Sequence, residues 1–231
     1  MRITLSLLPA ATMLATALAA VAAEDRPPNL LLIVTDNQGA WTLGCYGNPE
    51  LRTPNIDQLA AEGMLFSRAM ASNAVCSPTR ATLLTGLLPS QHGVHCFLDP
   101  KYMMGPAAFN TLAEFQSLPE VLAAQGYRCG LVGKWHLGAN AAPHEGFHTW
   151  VTMVAGHTRE FYDVPIIDGA QVREEPGYIT DFWTRRAVEF LNENRDRPFF
   201  LYLAYNGPYG LGGLLKNEAR NRHQDYYADK P

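Results

Sequence analysis

A chain of 231 residues with 18 Lys and Arg against 22 Asp and Glu carries a formal net charge of -4 at pH 7, and 47% of its residues are hydrophobic. That is enough apolar material for one sizeable packed domain, and too little chain for two generous ones. No basic run and no interleaving of basic and aromatic residues occurs, so no nucleic acid partner is expected.

The chain opens with Arg2, an apolar stretch from Ile3 to Ala20 and the small residues Val21-Ala22-Ala23, followed by polar Glu24-Asp25-Arg26. This is the pattern of a secretory signal peptide, residues 1–23, with cleavage expected after Ala23. Pro9, the scattered Thr and Ser and the small-residue end favour removal over a retained anchor. No other stretch is long and apolar enough to span a bilayer, so no stable membrane span is expected after removal. The expected location is exported, periplasmic or secreted.

Asn29 to Thr35 is a continuous apolar run after Pro27-Pro28, as in a strand buried on both faces, and it ends at polar Asp36-Asn37. Thr53-Pro54 starts a helix that runs to Glu62 and stops at Gly63, and Met64 to Met70 reads as a short extended run. Ser77 and Pro78 suit the N-cap and first position of a second helix. A loop-rich stretch follows to about Phe115. Ser117-Leu118-Pro119-Glu120 then forms a capping box, Gly126 closes its helix, and Tyr127 to Val132 is a buried strand leading into Gly133-Lys134-Trp135-His136. A hairpin turning at Asp168-Gly169 is predicted within 151–175. An amphipathic helix over Thr180 to Asn194 places Trp183, Ala187, Phe190 and Leu191 on one face, and Pro198 to Tyr205 is the last clear strand.

Buried strands separated by capped helices define an α/β fold: a layered, mostly parallel sheet flanked by helices on both faces, with polar residues at the C-terminal strand ends where such sheets place their sites. The polar stretch from Gly210 to Pro231 has no natural stop, so residues 24–231 read as the N-terminal portion of a domain whose sheet is incomplete at the C-terminus. Four cysteines, Cys45, Cys76, Cys96 and Cys129, are too few and too spread for a disulfide scaffold, and none forms a CxxC pair.

The chemistry-bearing residues gather in three places. Arg80 lies about one helical turn beyond Cys76, close enough to hold an anion at the start of that helix. Lys134 and His136, two residues apart at a strand end, can project to the same side of the sheet as a fixed cation and a proton carrier. Asp36 and Asn37 offer oxygen ligands that suit calcium or magnesium. His92-Gly93-Val94-His95 lacks a third ligand at useful spacing and reads as a loop. No GxGxxG, phosphate loop, HExxH or GxSxG occurs.

Cys76-Ser77-Pro78-Thr79-Arg80, continuing through Gly86, together with Gly133-Lys134-Trp135-His136-Leu137-Gly138, Thr53-Pro54-Asn55-Ile56-Asp57 and the strand ending at Asp36, resembles the sulfatase family of the alkaline phosphatase-like superfamily. The resemblance implies that a maturation enzyme oxidises Cys76 to formylglycine. Its hydrated form would attack the sulfur of a sulfate ester beside a divalent metal, most simply Ca2+ or alternatively Mg2+, and the remaining hydroxyl would then expel sulfate and regenerate the aldehyde. It further implies that Asp36, Asn37 and the residue at 76 hold the metal, that Arg80 steadies the nucleophile, that Lys134 binds sulfate oxygens and that His136 takes the diol proton.

Two departures stand out. The family's second acid is Asn37 here, and the His expected after a Pro past the last strand is Tyr209, a neutral phenol in a substrate-binding position. The family's later metal ligands would lie past residue 231. The alternatives are a phosphate or phosphonate ester hydrolase of the same superfamily, or an inactive truncated binding protein.

Overall fold

A computed structural model describes residues 26–210 and 224–227. The expected signal peptide and nearly all of the stretch after Gly210 lie outside these residues. Strands β1 (Leu30–Val34), β2 (Arg128–Gly133), β3 (Thr149–Met153), β4 (Val164–Asp168), β5 (Gln171–Glu175) and β6 (Phe199–Ala204) form one sheet in the order β1-β6-β2-β3-β4-β5. β1, β6, β2 and β3 run parallel, and β4 and β5 add an antiparallel hairpin at the far side.

Side-chain alternation along β6 divides the core in two. Phe200, Tyr202 and Ala204 face a cluster with Leu131, Trp150 and Ile167, covered by Ala81 and Leu84 of helix α2 (Cys76–Thr85). Phe199, Leu201 and Leu203 face the opposite side, covered by Phe182, Trp183, Ala187 and Phe190 of helix α5 (Ile179–Asn194). The predicted apolar face of that helix therefore packs as its 3.6-residue period requires, and each fully buried large side chain there contributes roughly 1.5–3 kcal/mol. The layered, mostly parallel α/β architecture agrees with the sequence reading.

Local signals also hold. Helix α1 (Pro54–Glu62) ends at Gly63, the short helix α3 (Pro89–His92) ends at Gly93, and helix α4 (Leu118–Ala124) begins at a reciprocal capping box in which Glu120 accepts from the Ser117 N–H at 2.7 Å. Gly169 N–H bonds the Trp150 carbonyl at 2.9 Å where the chain turns from β4 into β5.

Three expectations are corrected. β1 is an edge strand among the described residues, with Leu31 and Ile33 about half exposed, because there it pairs with β6 alone and helix α5 packs on β2 and β6. Met64 to Met70 is not a strand: it finds no partner edge, and Met64, Phe66 and Met70 lie exposed. Helix α2 begins two residues earlier than predicted, with Val75 as N-cap and Cys76 in the first turn. The Ser77 hydroxyl is therefore not a cap; it accepts from the Leu98 N–H at 3.1 Å and ties the helix to the loop beyond it.

The end of β2 is set by one glycine. Gly133 has φ +114, and a Cβ placed there would stand 1.9 Å from the Ala204 carbonyl oxygen of β6. Backbone, not a flexible side chain, blocks the space. We expect Gly133→Ala to lower the unfolding free energy by about 2–4 kcal/mol in urea titration. A change within about 0.5 kcal/mol would contradict this packing of β2 against β6.

Candidate active site

Three neighbouring strand ends and one helix start build the site. Because β6 lies between β1 and β2, the residues just past β1 and β2 approach each other over the end of β6. Backbone bonds fix that approach: Lys134 N–H donates to Ala204 O at 2.7 Å, Tyr205 N–H to Val34 O at 2.8 Å, and Asp36 N–H to Gly207 O at 3.0 Å.

Asp36 then receives two cations on a single oxygen. Lys134 Nζ lies 2.7 Å from Asp36 Oδ2 and Arg80 Nη2 lies 3.0 Å from the same atom. All three side chains are buried. Burial works against the Asp36 charge, but the Lys134 and Arg80 charges and their hydrogen bonds outweigh it, so its carboxyl is held below the ordinary range. Lys134 is pushed down, first by burial and then by Arg80, with Asp36 opposing. Arg80 also donates from Nη1 to the Lys134 carbonyl at 2.5 Å and reaches Tyr202 Oη at 3.4 Å. Its Nε is buried with no protein partner. One carboxylate facing two cations leaves the cluster net positive, a charge suited to an anion.

Cys76 sits in the first turn of helix α2, and its Sγ lies 3.1 Å from His136 Nδ1. The other ring nitrogen, Nε2, is 3.2 Å from the Leu98 carbonyl oxygen. A carbonyl can only accept, so Nε2 carries the ring proton and the Nδ1 lone pair is turned towards position 76. Burial, and then the Lys134 charge, push the His136 pKa down to about 3, so the ring is neutral. This is the protonation state of a base.

His136 reaches this position by a route other than the one its spacing suggests. Lys134 and His136 lie past the end of β2, and His136 has φ 58, so a left-handed turn brings them together in place of strand alternation. Trp135 between them is fully buried, with its ring 5.1 Å from that of Trp150 and its Nε1 bonded to Gly138 O at 2.9 Å. Anchoring the middle residue fixes both functional neighbours. A Cβ at Gly156 would lie 2.1 Å from His136 Cδ2, so that glycine makes room for the ring.

A cleft opens on both sides of Cys76. One lobe, of about 670 Å³, is lined by Asp36, Asn37, Asn73, Cys76 and Arg80. The second, of about 490 Å³, is lined by Cys76, Phe97, His157, Arg159 and Tyr209 together with Asp36 and Asn37. Of the residues singled out from the sequence, Asp36, Asn37, Cys76, Arg80 and Tyr209 border this cleft, Lys134 lies in the buried cluster, and His136 stands against Cys76. The sequence reading missed Leu98, whose backbone carbonyl fixes His136, and also His157, whose Nδ1 is 3.3 Å from Tyr209 Oη.

His92 is a structural residue: its Nδ1 accepts from Val94 N–H at 3.1 Å and its Nε2 lies 3.2 Å from Thr82 Oγ1. Among the described residues all four cysteines are free thiols. The carboxylate of Asp36 and the exposed amide of Asn37 are oxygen donors of the kind that a hard divalent cation prefers. Both ion pairs of Asp36 use Oδ2. Among the described residues no group of three or more His, Cys, Asp or Glu is placed to hold a metal ion by itself.

At the open end of the sheet the fold thus sets a thiol at a helix start, a neutral histidine facing it and a net positive buried cluster side by side. Residues 28–230 match the sulfatase family, and the chain belongs to that family. It is 34% identical over 220 residues to human arylsulfatase A, covering 81% of this chain and 42% of that protein. It is 32% identical over 232 residues to human N-acetylgalactosamine-6-sulfatase, covering 87% of this chain and 44% of that one. The crystal structure of Ps i-CgsB in complex with k-i-k-neocarrahexaose superposes with a TM-score of 0.72 at 30% identity, over 80% of this chain and 46% of that one. The chain spans less than half the length of these relatives.

Removing the shared anion should expose the cost of the two buried cations. We expect Asp36→Ala to lower the unfolding free energy by about 3–5 kcal/mol, because it leaves both without a counter-charge. Asp196→Ala, at an exposed ion pair, should change it little. Equal effects of the two substitutions in denaturant titration would contradict the role given to Asp36.

Proposed function

We propose that this chain carries the nucleophile-bearing part of an exported sulfuric ester hydrolase that acts on aryl or carbohydrate sulfates. The observation that carries the reading is the pairing of Cys76 with the unprotonated Nδ1 of His136 at 3.1 Å, beside the Asp36, Lys134 and Arg80 cluster. Sulfatase relatives named for aryl and amino-sugar sulfates support the substrate class.

The residues divide the work as their surroundings dictate. Lys134 and Arg80, held in place by Asp36, set fixed positive charge where sulfate oxygens and the negative charge of the transition state would lie, and burial strengthens that attraction. The start of helix α2 adds unpaired N–H groups of the same sign. His136 accepts a proton from the group at position 76 through Nδ1, while Leu98 keeps its ring oriented through Nε2. Tyr209 and His157 line the lobe beside Cys76, where the organic part of the ester would sit.

A formylglycine at position 76, made by a dedicated maturation enzyme, would supply an oxygen nucleophile and a built-in means of releasing sulfate. Asp36 and Asn37 would hold a divalent cation, Ca2+ or Mg2+, whose charge would activate that oxygen. Export rests on residues 1–23. Among the described residues no helix is long and apolar enough to cross a membrane.

The test is side-by-side turnover of 4-nitrophenyl sulfate and 4-nitrophenyl phosphate by the matured chain, with mass analysis of the peptide that contains position 76. We expect an aldehyde at 76, faster sulfate cleavage, no activity in Cys76→Ala and a loss of about 10²–10⁴-fold in His136→Ala. Faster phosphate cleavage, or an active protein with an unmodified thiol, would overturn the reading.

A further inference from the structure

We propose that His157 and Tyr209 act as a couple on the leaving-group side of the cleft: His157 Nδ1–H donates to the Tyr209 hydroxyl oxygen, which frees the phenolic proton for the bridging oxygen of the ester. This rests on the sulfuric ester reading above. It concerns the position where the family resemblance leads one to expect a histidine and where a tyrosine stands instead.

The geometry holds the phenol from two sides. Tyr209 is buried, its Oη is 3.3 Å from His157 Nδ1, and the two rings meet edge to face with centroids 5.3 Å apart. Lys134 Nζ, the same ammonium that bonds Asp36, lies 5.1 Å from the centre of the Tyr209 ring. Tyr209 and His157 border the lobe of about 490 Å³ together with Cys76 and Arg159. The phenol is thus clamped next to the nucleophile position, with the imidazole at its hydroxyl.

Two hydrogen-bond directions are available to such a pair. If Nδ1 accepts, the phenolic proton is spent on His157 and nothing is offered to a substrate. If Nδ1–H donates, the O–H is free, and both dipoles run with their positive ends towards the lobe. An anionic ester in the lobe selects the second arrangement, since its oxygens attract those positive ends and repel lone pairs. Burial, with Asp36 and Cys76 adding to it, raises Tyr209 to about 12, so the phenol keeps its proton. Burial, then Lys134 and Arg159, lower His157, which favours a neutral ring with a single proton to place.

During the reaction the bond from sulfur to the bridging oxygen breaks, the sulfuryl group passes to position 76, and the electron pair stays on the bridging oxygen. Tyr209 O–H stabilises that charge by hydrogen bonding, the oxygen takes its proton from water, and the proton that His136 received from position 76 neutralises the hydroxide left behind. Tyr209 and His157 end as they began. Tyr209 is then a catalytic residue that touches the reacting ester, and His157 is a positioning residue that acts through it.

The direct test is the His157 tautomer, read from ¹⁵N imidazole spectra of the full chain with inorganic sulfate present. We expect Nδ1–H in the wild type and Nε2–H in Tyr209→Phe; Nε2–H in the wild type would overturn the couple. Kinetics give a second readout that mere loss of structure would not move. Tyr209→Phe and His157→Ala should slow an alkyl sulfate, a poor leaving group, by at least about tenfold more than 4-nitrophenyl sulfate. His157→Asn, whose amide N–H can stand near Nδ1, should recover part of that loss. Equal losses on both esters would also overturn the proposal. Absence of turnover of either ester by the wild type would count against the sulfuric ester reading, and the tautomer would then decide the couple by itself.

Discussion

A single carboxylate oxygen organises this molecule. Asp36 Oδ2 takes Lys134 and Arg80 at 2.7 and 3.0 Å, joining the end of β1, the end of β2 and helix α2 at one point. Three buried charges are costly to assemble, and they persist only because each is answered by another. The arrangement depends on strand order: with β6 between β1 and β2, a short aspartate and a long lysine can meet across one intervening strand. The surplus of one positive charge then fits the anion that the site would bind.

The same economy of position governs the histidine. Its base form does not depend on a carboxylate partner of the kind that orients many catalytic histidines. A backbone carbonyl, Leu98 O, fixes the tautomer, and burial beside Lys134 keeps the ring neutral. The buried Trp135 couples the two functions, since moving its indole would displace Lys134 on one side and His136 on the other. Preorganisation of this kind lets fixed dipoles and charges act without rearranging during the reaction.

Much of this was legible in the sequence because strand ends and helix starts carry local signals. The apolar run into Asp36 and the Ser117 capping box located the elements, and the signature from Cys76 to Arg80 singled out the thiol that the structure sets against His136. What stayed hidden depends on long-range contact. Asp36 read as a metal ligand, and nothing in its neighbourhood shows that residues 44 and 98 positions away share its oxygen. Leu98 acts through a carbonyl that every residue possesses. His157 sits in an irregular stretch between β3 and β4 with no motif, and only the fold brings it to Tyr209. The Met64 to Met70 run misled because β propensity says nothing about whether a free sheet edge lies within reach.

The central claim, that Asp36 holds two buried cations as an oxyanion site beside position 76, is tested most directly by calorimetric titration of inorganic sulfate into the folded Cys76→Ala chain. The account predicts sulfate binding that is lost when Lys134→Met is added to that chain while its fold is retained. Sulfate binding unchanged by Lys134→Met, or no binding by the folded Cys76→Ala chain, would contradict it.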